Sequence, residues 1–199
     1  MIAAEDAILV LLAAGRSTRF GSENKLRQNF LGKPLGLHVA TALEAIPFHE
    51  RIAVTDGSDL DYGSRFRIVH NDAPERGLAS SLRLGIADAK ESGARAVAIA
   101  LADMPRVTAA HVYRLLDAAE GDDAVVVSSD GVHPMPPGVF GRGRFDFLLN
   151  LEGDQGARDL IRAGCHVVAS PAELIDVDTP DDLERLWAMV TRDVTHRSG

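Results

Sequence analysis

Ala7-Ile8-Leu9-Val10-Leu11-Leu12-Ala13-Ala14-Gly15-Arg16-Ser17-Thr18-Arg19-Phe20-Gly21 is the stretch whose reading decides the fold. An apolar strand, Ala7 to Ala14, stops at a glycine and gives way to a loop rich in arginine and hydroxyls. Such a loop can aim backbone N–H groups, Arg16, Arg19 and Lys25 at one small, multiply charged anion such as a triphosphate. Glycine lets the backbone come close to it. The loop spells neither Gly-x-x-x-x-Gly-Lys-Ser/Thr nor Gly-x-Gly-x-x-Gly, which points away from the common ATPases and dinucleotide enzymes. Read alone, it is equally a solvated basic turn after a core strand.

Further along the chain, short apolar runs alternate with helical patterns, the mark of βαβ units on a mainly parallel sheet. Strands are predicted at Ala7–Ala14, Arg51–Thr55, Arg67–Asn71, Ala96–Leu101, Ala124–Ser128 and His166–Ser170, with a short last one at Leu174–Val177. Helices are predicted at Pro34–Ala45, Ala79–Glu91, Ala109–Ala119, Phe145–Leu151, Ala157–Ala163 and Pro180–Thr191. In the third, Val112, Leu115, Leu116 and Ala119 fall on one face. Thr108 can cap that helix, and Thr179-Pro180-Asp181-Asp182 places a cap, an N1 proline and an acidic first turn in order. The Gly- and Pro-rich region Ser129–Arg144 interrupts the alternation and reads as a loop over one end of the sheet, either a substrate loop or a plain connection. Residues 1–199 read as one domain, with about Asp193–Gly199 as a frayed tail.

The chain carries a net charge of −8 over 199 residues, which argues against a nucleic-acid partner and makes the basic first loop a local positive site. Its single cysteine, Cys165, excludes an internal disulfide and fits a reducing cytoplasm. Acidic Glu5 and Asp6 precede a short apolar run, so neither a signal peptide nor a membrane span is expected. No His-Glu-x-x-His or Gly-x-Ser-x-Gly pattern occurs, which removes the usual zinc and serine-hydrolase signatures. Ser80 and Ser81 open a helix, where an N-cap is the simplest role.

Ligands of an open parallel sheet bind beyond the carboxyl ends of its strands. Three features fall there: the first loop, Leu101-Ala102-Asp103-Met104-Pro105, and Asp176-Val177-Asp178-Thr179-Pro180. Two carboxylates from separate strand ends facing a basic loop make a candidate Mg²⁺–nucleotide site, because Mg²⁺ takes hard oxygen ligands and substrate phosphates. Each aspartate alone is also explained as a turn or helix cap.

These blocks resemble the MobA-like nucleotidyltransferases, and within them the molybdenum cofactor cytidylyltransferase branch. The resemblance also covers Asn24-Lys25-Leu26, Gly32-Lys33-Pro34-Leu35 with His38, Arg76-Gly77-Leu78-Ala79-Ser80-Ser81-Leu82-Arg83, and Gly153-Asp154-Gln155-Gly156-Ala157-Arg158. It implies a three-layer α/β/α, Rossmann-like fold whose mostly parallel sheet has one antiparallel strand. It implies Mg²⁺-dependent transfer of CMP from CTP, or GMP from GTP, to the terminal phosphate of molybdopterin, with release of pyrophosphate. By the same resemblance, Ala13, Ala14, Gly15, Arg16, Ser17 and Gly21 wrap the triphosphate. Lys25 and Arg19 neutralise its charge, with Lys25 at the α-phosphate, and Asp103 with Asp178 holds Mg²⁺. Gly77, Ser80 and Ser81 then lie against the base, and Asp154, Gly156, Arg158 and His133 near the acceptor. Ala14, where the guanylyl-transferring branch usually has a second glycine, points to cytidine. Gly131-Val132-His133-Pro134-Met135-Pro136-Pro137 departs from the Gly-His-Pro block of that branch. The departure keeps a sugar or polyol phosphate acceptor in view, as well as a noncatalytic factor serving a molybdoenzyme or its chaperone.

Overall fold

β1 (Ala7–Ala13) is buried at every residue, because it is paired on both edges and covered on both faces. Its neighbours are β4 (Glu50–Thr55) and β6 (Ala96–Leu101), both parallel to it. The computed structural model describes residues 1–15, 20, 24–57, 60–151 and 153–196, with 153–157 and 192–196 described by their backbone. Successive β1 side chains point to opposite faces. Ala7, Leu9, Leu11 and Ala13 therefore join one core, under α1 (His38–Ala42) and α3 (Ala109–Ala118). Ile8, Val10 and Leu12 join the other, under α2 (Leu78–Glu91), α4 (Phe145–Leu149) and α5 (Gly153–Ala163). Fully buried Leu11, Leu115 and Ile86 each contribute about 2 kcal/mol of apolar transfer. Gly85 lets α2 press onto the sheet: a Cβ there would lie 2.4 Å from Val10 Cγ1.

Among the described residues, the main sheet has seven strands in the order β5-β4-β1-β6-β8-β7-β9, with β5 at Arg67–His70, β7 at Val125–Ser129, β8 at Pro134–Gly141 and β9 at Cys165–Val168. β8 is antiparallel to both of its neighbours, and the other pairings are parallel. This is the three-layer α/β architecture with one antiparallel strand that the sequence led us to expect. A small hairpin of β2 (Asn29–Phe30) and β3 (Lys33–Pro34) stands apart from the sheet.

Two expectations are corrected. The region Ser129–Arg144 is no loop over the sheet: half of it is β8, inserted between β6 and β7. Its prolines are accommodated because the pairing slips between Val127 and Ser128, leaving Pro136 and Pro137 out of register. A residue without an N–H costs no ladder bond at such a bulge. The strand predicted at Leu174–Val177 is irregular instead. The segment crosses the end of β6 rather than running beside it, and Val177 N donates a single bond to Asp103 O at 3.0 Å.

The last helix, α6 (Pro180–His196), extends into the stretch read as a tail. Its Leu183, Leu186 and Val190 pack on Phe30, Leu35 and Val177, and Trp187 meets Phe30 edge-on at 5.2 Å. No helix among the described residues is long and apolar enough to cross a membrane.

Candidate active site

The strand order reverses between β1 and β6, and a crevice opens at that switch point beyond the carboxyl ends of the strands. Ala102 N donates to Leu12 O at 3.0 Å, which sets the chain after β6 beside the chain after β1. The bond from Val177 then draws the 176–178 segment against Asp103. Asp178 is fixed from the other side by the start of α6. There Thr179 Oγ1 accepts from Asp182 N, while Asp182 Oδ2 accepts from the Asp178 and Thr179 amides, a reciprocal cap. Thr179 Oγ1 also donates to Asp182 Oδ2 at 2.7 Å, and this bond first, then the two amides, hold the Asp182 carboxyl below its usual value.

Lys25 arrives on a 3-10 turn, Lys25–Arg27, capped by Asn24, whose Oδ1 accepts from Leu26 N at 2.9 Å. His38 Nε2 lies 2.7 Å from Phe30 O and tilts against the Phe30 ring, tying the hairpin to α1. Lys25 Nζ bridges two carboxylates, 2.7 Å from Asp103 Oδ2 and 2.8 Å from Asp178 Oδ1. The ammonium is 12% exposed and Asp103 is 19% exposed, so this pair is shielded from screening by water. Burial alone would lower the Lys25 pKa, but Asp103 and then Asp178 outweigh it and hold the ammonium above its usual value.

Asp176 completes the cluster. Ligand oxygens of Asp103, Asp176 and Asp178 lie within 4.8 Å of one another. Asp176 is exposed at its surface, yet partial loss of water around its carboxyl, together with the charges of Asp103 and Asp178, pushes it up to about 7, against the pull of Lys25. Asp103 Oδ1 is buried and, among the described residues, accepts no hydrogen bond. A hard divalent cation fits this donor set: carboxylate oxygens converge, and one of them is an orphan that an ion would satisfy.

Beside the cluster lies a cleft of ≈ 330 Å³ lined by Ala13, Ala14, Gly15, Lys25, Gly77 and Asp103 among others. A Cβ at Gly15 would meet no atom of the described residues within 4 Å, and the glycine lines the cleft. Gly77 has φ +80° and starts α2, a conformation glycine adopts without strain. The helix thus directs its N-terminal amides toward the cleft. An apolar recess of ≈ 130 Å³ adjoins it, sharing Leu12, Leu78 and Leu101 and continuing to Met135, Pro136 and Phe140 of β8.

Of the residues singled out in the sequence, the structure brings together Lys25, Asp103 and Asp178, with Ala13, Ala14, Gly15 and Gly77 on the adjoining wall. Arg16, Ser17, Arg19 and Gly21 lie outside the described residues. Ser80 and Ser81 are buried, and both accept from Asn71 Nδ2, at 2.9 and 2.8 Å. Ser80 Oγ donates onward to Gly77 O. Their hydroxyls brace the turn that carries Gly77. His133 is exposed on the β7–β8 turn, where Asp130 Oδ1 accepts from its amide at 2.7 Å. Asp154 and Gly156 are described by their backbone in α5, and Arg158 is exposed on that helix.

Sequence reasoning missed two contributors. Asp176 was visible in the Asp-x-Asp spacing, since a segment without helical turn can turn both carboxylates toward one point. Asn71, 3% exposed, carries no motif signal and is legible only from its bonds to both serines.

The model of the MobA-like NTP transferase domain matches residues 9–169. The purine catabolism protein PucB of Bacillus subtilis is 32% identical over 194 residues, 88% of this chain and 93% of its own length. The molybdenum cofactor guanylyltransferase of Burkholderia lata is 34% identical over 136 residues, 64% of this chain and 65% of its own. The crystal structure of Rv0371c from Mycobacterium tuberculosis superposes with a TM-score of 0.75 at 28% identity, covering 92% of this chain and 98% of that one. A complex of Rv0371c with manganese gives 0.66 at 27%, covering 90% and 97%. With the domain matched across most of its length and its switch-point crevice lined by a lysine and three carboxylates, the chain belongs to the MobA-like NTP transferase family and is a nucleotidyltransferase.

Proposed function

We propose that the protein transfers CMP from CTP to the terminal phosphate of molybdopterin, releasing pyrophosphate, as one nucleotidyltransferase domain with Mg²⁺ at Asp103, Asp176 and Asp178. The observation that carries the reading is the Lys25–Asp103–Asp178 constellation beside the cleft. The likeness to a molybdenum cofactor guanylyltransferase supports the acceptor. Ala14 at the cleft supports the smaller base, because a side chain there takes room that a purine would use.

An oxygen of the acceptor phosphate attacks the α-phosphorus. The bond from that phosphorus to the bridging oxygen breaks, and pyrophosphate leaves with the electron pair. A phosphate monoester is already a competent nucleophile, so no general base is assigned. Lys25 places positive charge at the α-phosphate, where negative charge builds up in the transition state. The backbone at Gly15 and the start of α2 at Gly77 offer N–H groups to the phosphates. Arg16, Ser17, Arg19 and Gly21, outside the described residues, are assigned to the same phosphates by the family resemblance. When bound, Mg²⁺ supplies charge neutralisation across phosphate oxygens. The apolar recess beside the cleft suits the faces of a flat ring system on the acceptor; His133, Asp154, Gly156 and Arg158 are assigned to the acceptor by the family resemblance alone.

A second reading is supported by β8. Met135 and Pro136 give the recess a wall of its own, and a different phosphorylated acceptor would then be the substrate. A screen of CTP and GTP against molybdenum-loaded molybdopterin and sugar or polyol phosphates, read by pyrophosphate release, separates the two. Release only with molybdopterin supports the first reading. Release only with another acceptor replaces it.

A further inference from the structure

We propose that Lys25 is a built-in counter-ion that closes the carboxylate site to divalent cations until a nucleoside triphosphate draws its ammonium away, so that cation and nucleotide bind with positive coupling. This rests on the metal–nucleotide reading above.

The ammonium sits between Asp103 Oδ2 and Asp178 Oδ1 at 2.7 and 2.8 Å. An ion such as Mg²⁺ contacts its oxygens at about 2.0–2.1 Å. An ion bridging those same two oxygens would have to occupy the point the ammonium holds, and one held through Asp103 Oδ1 would sit beside that ammonium, so the two cations compete by charge and, where they share oxygens, by space. Leaving without a new partner is unfavourable for Lys25, because its pair with Asp103 is largely buried, although Asp178 is 45% exposed, and a buried charge needs compensation. The side chain has somewhere to go: it lines the cleft shared with Gly15 and Gly77, and its four-carbon stem is flexible. A triphosphate in that cleft supplies the anion. Its arrival transfers Lys25 from carboxylate to phosphate and opens the Asp103–Asp178 pair. By linkage, the cation then tightens the nucleotide by the same factor.

The test titrates Mn²⁺ alone against the full chain, reading unbound Mn²⁺ by electron paramagnetic resonance in wild type, Lys25→Met and Lys25→Arg. Thermal melts confirm folding, and Lys25→Gln substitutes should Lys25→Met fail to fold. The expected result is Mn²⁺ binding at least about tenfold tighter in the neutral variant, with the arginine variant staying near wild type. A second expectation is that Mn²⁺ strengthens binding of a nonhydrolysable CTP analogue in wild type more than in Lys25→Met. Wild type binding Mn²⁺ as tightly as the neutral variant overturns the counter-ion role and leaves the metal site standing. An arginine variant that tightens like methionine overturns the role of charge. Folded proteins that bind no Mn²⁺ at all overturn the metal reading and this inference together.

Discussion

Replacing His111 with leucine probes a buried polar chain that supports the wall of the apolar recess. His111 is fully buried on α3. Arg114 Nη2 donates to its Nδ1 at 2.8 Å, so the ring proton is assigned to Nε2, which donates to Ser128 Oγ at 2.6 Å. Ser128 Oγ in turn donates to Pro137 O at 2.7 Å, at the slip in the β7–β8 pairing. Leucine nearly conserves volume, leaves Ser128 bonded to Pro137 and leaves Arg114 bonded to Val168 O. It removes two hydrogen bonds, each worth about 1 kcal/mol net. A loss of roughly 2–3 kcal/mol follows, and a fall in Tm of about 5–10 °C for a chain of this size. Burial, with Arg114 adding and Glu173 opposing, holds the His111 pKa below its usual value. The unfolded chain therefore binds more protons than the folded one as pH drops below about 6.5, and wild-type stability declines there. His38, also lowered mainly by burial, contributes to the same decline and persists in the variant. Thermal melts from about pH 8 to pH 5 should show the gap between wild type and His111→Leu shrinking toward acid. A gap that stays constant or widens refutes the neutral imidazole and the chain built on it.

Three further outcomes are expected. Asp103→Ala and Lys25→Ala should each lower pyrophosphate release by roughly 10³-fold while melting cooperatively, and full activity in both would show that the site is elsewhere. Leu31, exposed with φ 50° beside Gly32 at φ 85° in the β2–β3 turn, should gain about 0.5–1 kcal/mol on conversion to asparagine, which tolerates that region better; a lower Tm would contradict the turn geometry. Asp176, with a folded value near 7 against an ordinary 3.8, makes the folded state bind more protons across that window. Its cost to stability therefore grows as pH rises toward about 7. In metal-free buffer, Asp176→Asn should stabilise by roughly 1 kcal/mol at pH 8, allowing for solvent screening, and by almost nothing at pH 4. Equal gains at both would remove the crowding account.

Where local chemistry and tertiary context agree, the structure could be read from the chain. β6 occupies the predicted Ala96–Leu101, and Thr108 caps α3 by accepting from His111 N at 3.1 Å. β8 was hidden because prolines forfeit ladder donors, and only the neighbouring strand reveals a register slip that spares them. Leu174–Val177 has strand composition but, among the described residues, pairs with no strand. At the site, Asp103 and Asp178 were legible as carboxylates following apolar runs. Asp176 was signalled only by its Asp-x-Asp spacing with Asp178, and its role depends on how the segment meets the end of β6. Ser80 and Ser81 stand in a recognisable block, yet their bonds to Asn71 turn their hydroxyls to structural use.

The ion pair that joins Lys25 to Asp178 spans 153 positions of sequence. Contacts of such separation are among the last to repay their loop-closure entropy during folding. The site therefore exists only once β1, β6 and the segment leading into α6 are all in place, and no partly folded chain can present it. A ligand bound there stabilises the whole cooperative unit, not a local piece of it, by an amount that grows with the logarithm of its concentration. Protection of the slowest-exchanging amides in α6 and β1 should then rise together on ligand binding, making the site a reporter of complete folding.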